Sequence, residues 1–325
     1  MKIHLVGDIM IGRSFNDLFE HNINYNIWND TLNIFNKSNC VIGNLETTLT
    51  DSNNKWPNKL FNFKLAKKYS NILKKANISH VTIANNHILD YKLDGMNDTI
   101  NTLDKLNITY TGAGINYKNA SKYVIKNINS IKIGIVSFAD HYDYWKAENN
   151  KAGINYIDFN NQEILNYLKQ IKNTCDILIL SIHYGPNYVQ NIDMAAKNFF
   201  YKALKCGVDI VHGHSAHHIL PIEIINGKYI FYSMGDFIDD YAVDSFYRND
   251  LSFIAELIIE NKKIKSLNVY PTKISIGYEN GLLVSSVSIL ENNDNDYKYV
   301  MNKLNYKNNM NGGISTNNKK YKLVK

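Results

Sequence analysis

The sequence predicts an α/β fold whose sheets mix parallel and antiparallel strands, and three observations predict it. Short apolar runs alternate with helical stretches from the start of the chain to about residue 211. That alternation implies right-handed crossovers and a largely parallel sheet. Beyond that point the pattern turns to hairpins, so antiparallel strands join the system. Finally, five of the apolar runs end in polar, metal-ligating residues, and strand tips of an open α/β sheet converge on one crevice.

The elements follow in order. Residues 3–6 read as a buried-type strand, 27–35 as a helical stretch and 40–42 as the next strand. Residues 47–62 are polar and turn-rich, a loop over the crevice. Residues 65–76 have helical spacing, with Leu65, Tyr69, Ile72, Leu73 and Ala76 on one face. A strand at 80–84 and a helix at 96–106 come next, then Gly112-Ala113-Gly114 and a strand at 131–138. An aromatic, polar loop covers 141–150. Helix 162–172, strand 176–182, helix 195–205 and strand 208–211 complete the alternating part.

Residues 219–225 and 228–232 flank Asn226-Gly227, the signature of a hairpin with a type I′ turn. A second hairpin joins 251–259 to 264–270 through Glu260-Asn261-Lys262-Lys263. Residues 291–318 are Asn-rich, with one helix near 297–304 and otherwise weak structure. The expected organisation is one domain over 1–290 and a C-terminal extension over 291–325.

Composition narrows the function. At 325 residues the chain has ample sequence for a core. Hydrophobic residues make up 45% and charged residues 20%, ordinary for a globular protein. The formal charge of +6 mildly favours anionic ligands, although a Lys-rich solvated surface is the commoner reading of such a balance. No arginine-rich stripe or nucleic-acid motif occurs, which disfavours nucleic acid as a partner. Cys40, Cys175 and Cys206 are far apart and form no C-x-x-C pair, so they read as thiols of a reduced protein. No apolar run approaches the roughly 20 residues of a membrane span, and no signal peptide is visible. The expectation is a cytoplasmic protein of undefined oligomeric state.

The polar patches carry the chemistry. Asp8 follows the first strand and Glu46 the second. Each is a candidate ligand, and each is also open to a plainer role as a cap. Asn85-Asn86-His87 directly follows a strand, where two amides and an imidazole are poor strand or helix material. An Asn oxygen can ligate a hard metal, and an adjacent His can donate a proton. His183 ends the most apolar strand, at a turn. His212, His214, His217 and His218 cluster after the 208–211 strand, and packing alone explains such a cluster poorly. Turn geometry decides which of the four ligate.

In their order, these patches resemble the bacterial capsule-synthesis CapA (poly-γ-glutamate capsule) family, a branch of the calcineurin-like metallophosphoesterase superfamily. The matching stretches are GDIMIGR at 7–13, NLETTLT at 44–50, ANNHILDY at 84–91, GAG at 112–114, SIHYG at 181–185, GHSAH at 213–217 and IFYSMGDF at 230–237. The resemblance implies a four-layer α/β/β/α sandwich with one or two divalent metal ions (Mn, Fe or Zn) at the strand tips. It implies Asp8 and His217 on a first metal, Glu46 bridging, and Asn86, His183 and His214 on a second. His87 takes the place of the superfamily's substrate-contacting acid, and Arg13 would hold an anionic substrate group. The chain departs from the pattern in places. Met10 stands where phosphoesterases have a His, Glu46 stands where they have an Asp, and Asp236 stands where the family has an Asn.

The function expected from this resemblance is metal-dependent hydrolysis of a phosphoester or an amide in an anionic small molecule or polymer. Tyr142, Tyr144, Trp145, Tyr184 and Tyr188 either line a groove or anchor core and loops. The alternative is a non-catalytic, metal-containing scaffold that binds an anionic polymer or a synthase partner.

Overall fold

The structure, a computed structural model, describes residues 1–305, 314–317 and 320–323, with side chains through residue 304. The weak structure expected of the Asn-rich tail falls, for residues 306–313 and 318–319, outside the described residues.

Two sheets face each other. In the first, Lys2–Ile9, Cys40–Leu45, Ile78–Thr82 and Thr109–Thr111 lie side by side and parallel. An antiparallel wing, Leu251–Glu260, Lys263–Glu279 and Leu282–Ile289, extends it from the other edge of Lys2–Ile9. In the second sheet, Ile131–Ala139, Ile177–His183, Ile210–His214 and Lys228–Met234 are parallel. Val124–Ile128 and Ile219–Ile225 close its edges antiparallel.

Alternation along the strands sorts side chains into layers. Ile3, Leu5 and Ile42 of the first sheet meet Ile133, Ile135, Ile177, Ile179 and Ile210 of the second in one buried cluster. Val41 and Val81 point the other way and pack with Phe15, Leu73, Met96 and Leu103 from the helical segments on that face. Leu178, Leu180 and Val211 face Leu165 and Leu168 of helix Gln162–Lys172 and Phe199 and Phe200 of helix Met194–Lys205. The result is helix, sheet, sheet, helix: the four-layer α/β/β/α sandwich. Helix Asn295–Asn305 seats Tyr297, Val300, Met301 and Leu304 in the cluster between the sheets. Among the described residues no helix is long and apolar enough to cross a membrane.

Several elements differ from expectation. Helix Ser14–His21, which buries Phe15, Leu18 and Phe19, was not anticipated. The helix expected over 65–76 shrinks to Ile72–Lys75 after a single turn at Lys67–Tyr69. Its beginning is instead a short strand, Lys64–Leu65, paired with Thr48–Leu49. Asn16 accepts the Ala66 amide at 2.8 Å, holding the chain extended there. The apolar face nonetheless survives: Leu65, Tyr69, Ile72, Leu73 and Ala76 are all buried. The stretch at 27–35 likewise splits into the short turns Asn29–Thr31 and Leu32–Phe35. In the tail, Ile314–Asn317 and Lys320–Leu323 pair as strands at the edge of the first sheet, where none was expected. The first hairpin turns on Asn226 and Gly227, both at positive φ, as a type I′ turn requires. The second turns on Asn261 and Lys262 alone, also at positive φ.

Candidate metal centre

Both sheets present the carboxyl ends of their parallel strands to the same end of the sandwich. Asp8 lies near the end of Lys2–Ile9, Glu46 directly follows Cys40–Leu45, and Asn86 and His87 follow Ile78–Thr82. The second sheet supplies His183 and His214, each the last residue of its strand, and His217 from the next turn. All seven are buried. Ser215 and His217 both have positive φ, so the turn carrying these ligand candidates is conformationally strained.

A backbone crossing builds the Asp8 side. The chain leaves Lys228–Met234 in the second sheet and, through Gly235 at φ +78, enters Asp236–Ile238 in the first. Asp236 then stands in register beside Asp8. The approach is so close that a Cβ at Gly7 would lie 1.9 Å from the Gly235 carbonyl oxygen, so only glycine fits there.

Asp8 is held from several sides. Asn44 Nδ2 donates to its Oδ1 at 2.8 Å, and the Ser215 amide donates to its Oδ2 at 3.2 Å. His214 Nδ1 lies 3.0 Å from Asp8 Oδ1 but off the line of a hydrogen bond, which leaves that nitrogen without a partner. Ligand-capable atoms of Asp8, Glu46, His217 and Asp236 fall within 4.8 Å of one another. Around them, buried polar atoms lack hydrogen-bond partners: both oxygens of Glu46, Oδ1 of Asn86, Nε2 of His183 and Oδ2 of Asp236. Buried acceptors are ordinarily satisfied, so the orphans of Glu46, His183 and Asp236, which lie near one another, fit a divalent cation. His183 Nε2 and His87 Nε2 lie 3.9 and 3.7 Å from Glu46 Oε1.

Charge tells the same story. Burial, and then the charges of Asp8 and Asp236, push the Glu46 carboxyl well above its usual range. Burial and the Asp8 charge likewise raise Asp236. Burial also works against ionised Asp8, but the His214 contact and the nearby imidazoles outweigh it and hold that carboxyl low. Carboxylates crowded in a dry site cannot all ionise unless a cation joins them.

His87 has a different setting. Its Nδ1 bonds Asp90 Oδ2 at 2.6 Å, and Phe63 stacks on the ring at 4.3 Å between centroids. Lys59, from the loop expected to cover the crevice, reaches in to Asp90 Oδ1 at 2.5 Å and lies 3.1 Å from His87 Nδ1. Burial lowers the His87 pKa to about 4, with Asp90 opposing. Arg13 stands at the rim, its side chain 41% exposed, 3.5 Å from Asp240 and against the rings of Phe63 and Tyr241.

The remaining histidines of the cluster each spend Nε2 on a backbone carbonyl. His212 Nε2 bonds the Val6 carbonyl at 2.8 Å, tying one sheet to the other, and His218 Nε2 bonds the Val189 carbonyl at 2.8 Å. Tyr184 is core, its hydroxyl on the Tyr232 carbonyl. Tyr142, Tyr144 and Trp145 pack with Trp56 beside Lys59. Sequence reasoning missed Asp90, Lys59 and the placement of Asp236. Asp90 lies within the ANNHILDY stretch, three residues after His87, and Asp236 follows a glycine at a strand end. Nothing in the sequence marks Lys59.

Comparison with known proteins places the chain in a family. The family described as bacterial capsule synthesis protein PGA_cap matches residues 2–241. The chain belongs to this family. All the site residues above lie within the stretch matched to PGA_cap. The PGA biosynthesis protein CapA of Bacillus subtilis (strain 168) is 30% identical over 74% of this chain and 63% of that protein. The chain thus matches less than two thirds of that relative's length. The capsule biosynthesis protein CapA of Bacillus anthracis is 24% identical over 85% of this chain and 68% of the other. Among solved structures, NAD nucleotidase (NadN) of Haemophilus influenzae aligns at TM-score 0.46 and 12% identity, over 94% of this chain and 62% of that one.

Proposed function

We propose that the chain is a metal-dependent hydrolase acting on a phosphoester or an amide of an anionic substrate, in the synthesis or processing of a polyglutamate capsule. The observation that carries this reading is the convergence of unpartnered buried acceptors from Glu46, His183 and Asp236 at the tips of both sheets. Family membership and the names of the relatives support the capsule context.

Asp8, Glu46 and His217 would hold one divalent ion, and Glu46, Asn86, His183 and His214 a second, with Mn, Fe or Zn as candidates. Such an ion supplies Lewis-acid polarisation and acidifies water toward neutral pH. The chain's own residues do the rest. Burial in the sandwich excludes bulk water, which strengthens every charge interaction in the site. His87 turns Nε2 toward Glu46 and Nδ1 toward Asp90. Left alone, the buried ring is neutral at pH 7 and has no proton to give from Nε2 when Nδ1–H is bonded to Asp90. An arriving anion, with Asp90 behind the ring, raises the affinity of Nε2 for a proton, which the ring takes from water as the substrate binds. His87 then passes that proton to the leaving group. Arg13, half-exposed at the rim, holds an anionic group of the substrate outside the centre.

Elemental analysis of protein purified without chelator tests the first step, with about one or two equivalents of Mn, Fe or Zn expected. Turnover is then sought on a panel of phosphomonoesters, phosphodiesters and γ-glutamyl amides, lost with chelator and restored by Mn or Zn. Protein that stays metal-free after reconstitution sinks the reading. Bound metal with no turnover across the panel favours a binding scaffold for an anionic polymer.

A further inference from the structure

Asp236 has two carboxylate oxygens with different employment. Oδ1 accepts the Nδ1–H of His217 at 2.8 Å. Oδ2 is buried with no N–H or hydroxyl donating to it, and the Asp236 side chain lies in hydrogen-bond contact with the carboxyl of Asp239. The side chain stands in register with Asp8, and its ligand-capable oxygen lies within 4.8 Å of those of Asp8, Glu46 and His217. The geometry points to Asp236 as a direct ligand of the metal on the Asp8 side, while its Oδ1 also orients His217. This rests on the metal-dependent reading above and adds a donor to it.

The chain has a reason to need that donor. The residue two positions beyond Asp8 is Met10, fully buried, whose thioether is a soft and weak ligand. Asp8, Glu46 and His217 alone would leave that ion short of protein ligands. The crossing at Gly235 brings a replacement from another strand, and the bare backbone of Gly7 allows the approach. The Asp8 side then has three carboxylates and one imidazole. The other side has two imidazoles and an amide besides Glu46. Oxygen-rich sets suit Mn²⁺, and imidazoles suit Zn²⁺, so the Asp8 side is the one that prefers manganese.

Two lesser roles are open to Asp236. It can act only as the carboxylate behind a metal-bound histidine, or it can share a proton with Asp239, whose Oδ2 is also unpartnered. The deciding experiment is a crystal structure of the full-length protein loaded with Mn²⁺ and located by anomalous scattering. The expected result is a peak bonded to Asp8, Glu46 and the Asp236 carboxylate. A peak bonded to Asp8 and Glu46 but not to Asp236 overturns the inference and leaves the metal-dependent reading intact. No peak at all overturns both.

In solution, Asp236→Asn keeps the shape and one oxygen for His217 and removes the ligand charge. Calorimetric titration of chelator-stripped protein should show Mn²⁺ affinity weakened about ten-fold or more, with Zn²⁺ affinity less affected. The metal-free melting temperature should hold or rise, which separates ligand loss from misfolding. Mn²⁺ affinity equal to the parent's overturns the inference.

Discussion

One strand carries two buried polar clusters, and they differ in one respect. Near the start of Lys2–Ile9, His4 bonds Ser38 Oγ at 2.8 Å and Glu256 Oε2 at 3.2 Å. Glu256 also takes Lys2 Nζ at 2.9 Å, Asn268 Nδ2 at 2.5 Å and Tyr270 OH at 3.3 Å. At the other end, Asp8 sits among Glu46, Asp236 and His214, where both Glu46 oxygens, His214 Nδ1 and Asp236 Oδ2 have no hydrogen-bond partner. Residue types and burial are alike. The first cluster is closed on itself, as buried polar groups generally are. The second is left open in the way the proposed cation site requires. Composition therefore does not separate a structural cluster from a candidate site. The count of missing partners does.

The largest expected effect comes from exchanging the two glutamates of this comparison. Glu46→Gln should abolish metal uptake and all metal-dependent turnover. It should leave the chelator-treated fold as stable as the parent or more so, because it removes a charge that burial and Asp8 oppose. Glu256→Ala should do the reverse. Metal content is retained, while stability in denaturant titration falls by about 3–5 kcal/mol, the usual consequence of breaking a buried ion pair. If Glu46→Gln unfolds the protein and Glu256→Ala empties the metal, the contrast is wrong.

Next in size is His87→Ala, which tests whether catalysis belongs to the open cluster. It should keep bound metal and fold while losing about 10²–10⁴-fold in rate, typical of lost acid–base help. Lys59→Met should fall between this variant and the parent. It removes the cation that fixes Asp90 behind the imidazole, at Oδ1 2.5 Å away. Unchanged turnover in the His87 variant would remove that residue from the mechanism.

How much of this was legible beforehand depends on the kind of signal. The parallel strands were readable because both faces are buried, which produces uninterrupted apolar runs such as Ile177–His183. Helix Gln162–Lys172 was readable from its period, with Ile164, Leu165, Leu168 and Ile171 all buried. The same period misled at 65–76, because the buried spacing there is shared by a strand, a turn and a short helix. Candidate ligands were readable as residue types at strand ends. What separated His214 from His212 was not, since both belong to Ile210–His214 and only the facing Val6 carbonyl makes His212 structural. Asp236 and Lys59 depend on chain crossings and loop paths, which local patterns do not encode.

The smallest effect sharpens the comparison through a histidine of the closed kind. His80 is fully buried in the first sheet, with Nδ1 on Thr109 Oγ1 at 2.9 Å and Nε2 on Thr111 Oγ1 at 3.3 Å. Burial, aided by the Lys126 charge, pushes its pKa well below the ordinary 6.5. The folded state thus refuses a proton that the unfolded chain accepts. His80 costs nothing above pH 6.5, and below it stability is lost as the unfolded state gains the proton. The slope from this group approaches roughly 1.4 kcal/mol per pH unit until the folded pKa is reached. His80→Gln should lower stability at pH 7 modestly and flatten the acid limb by about that slope, read from denaturant midpoints between pH 7 and 5. Because His80 belongs to a satisfied pair of hydrogen bonds and not to the open centre, saturating Mn²⁺ should leave the difference in slope between parent and variant unchanged. A difference that vanishes with Mn²⁺ would mean that the two kinds of buried cluster are coupled, and that the separation drawn here between fold and site fails.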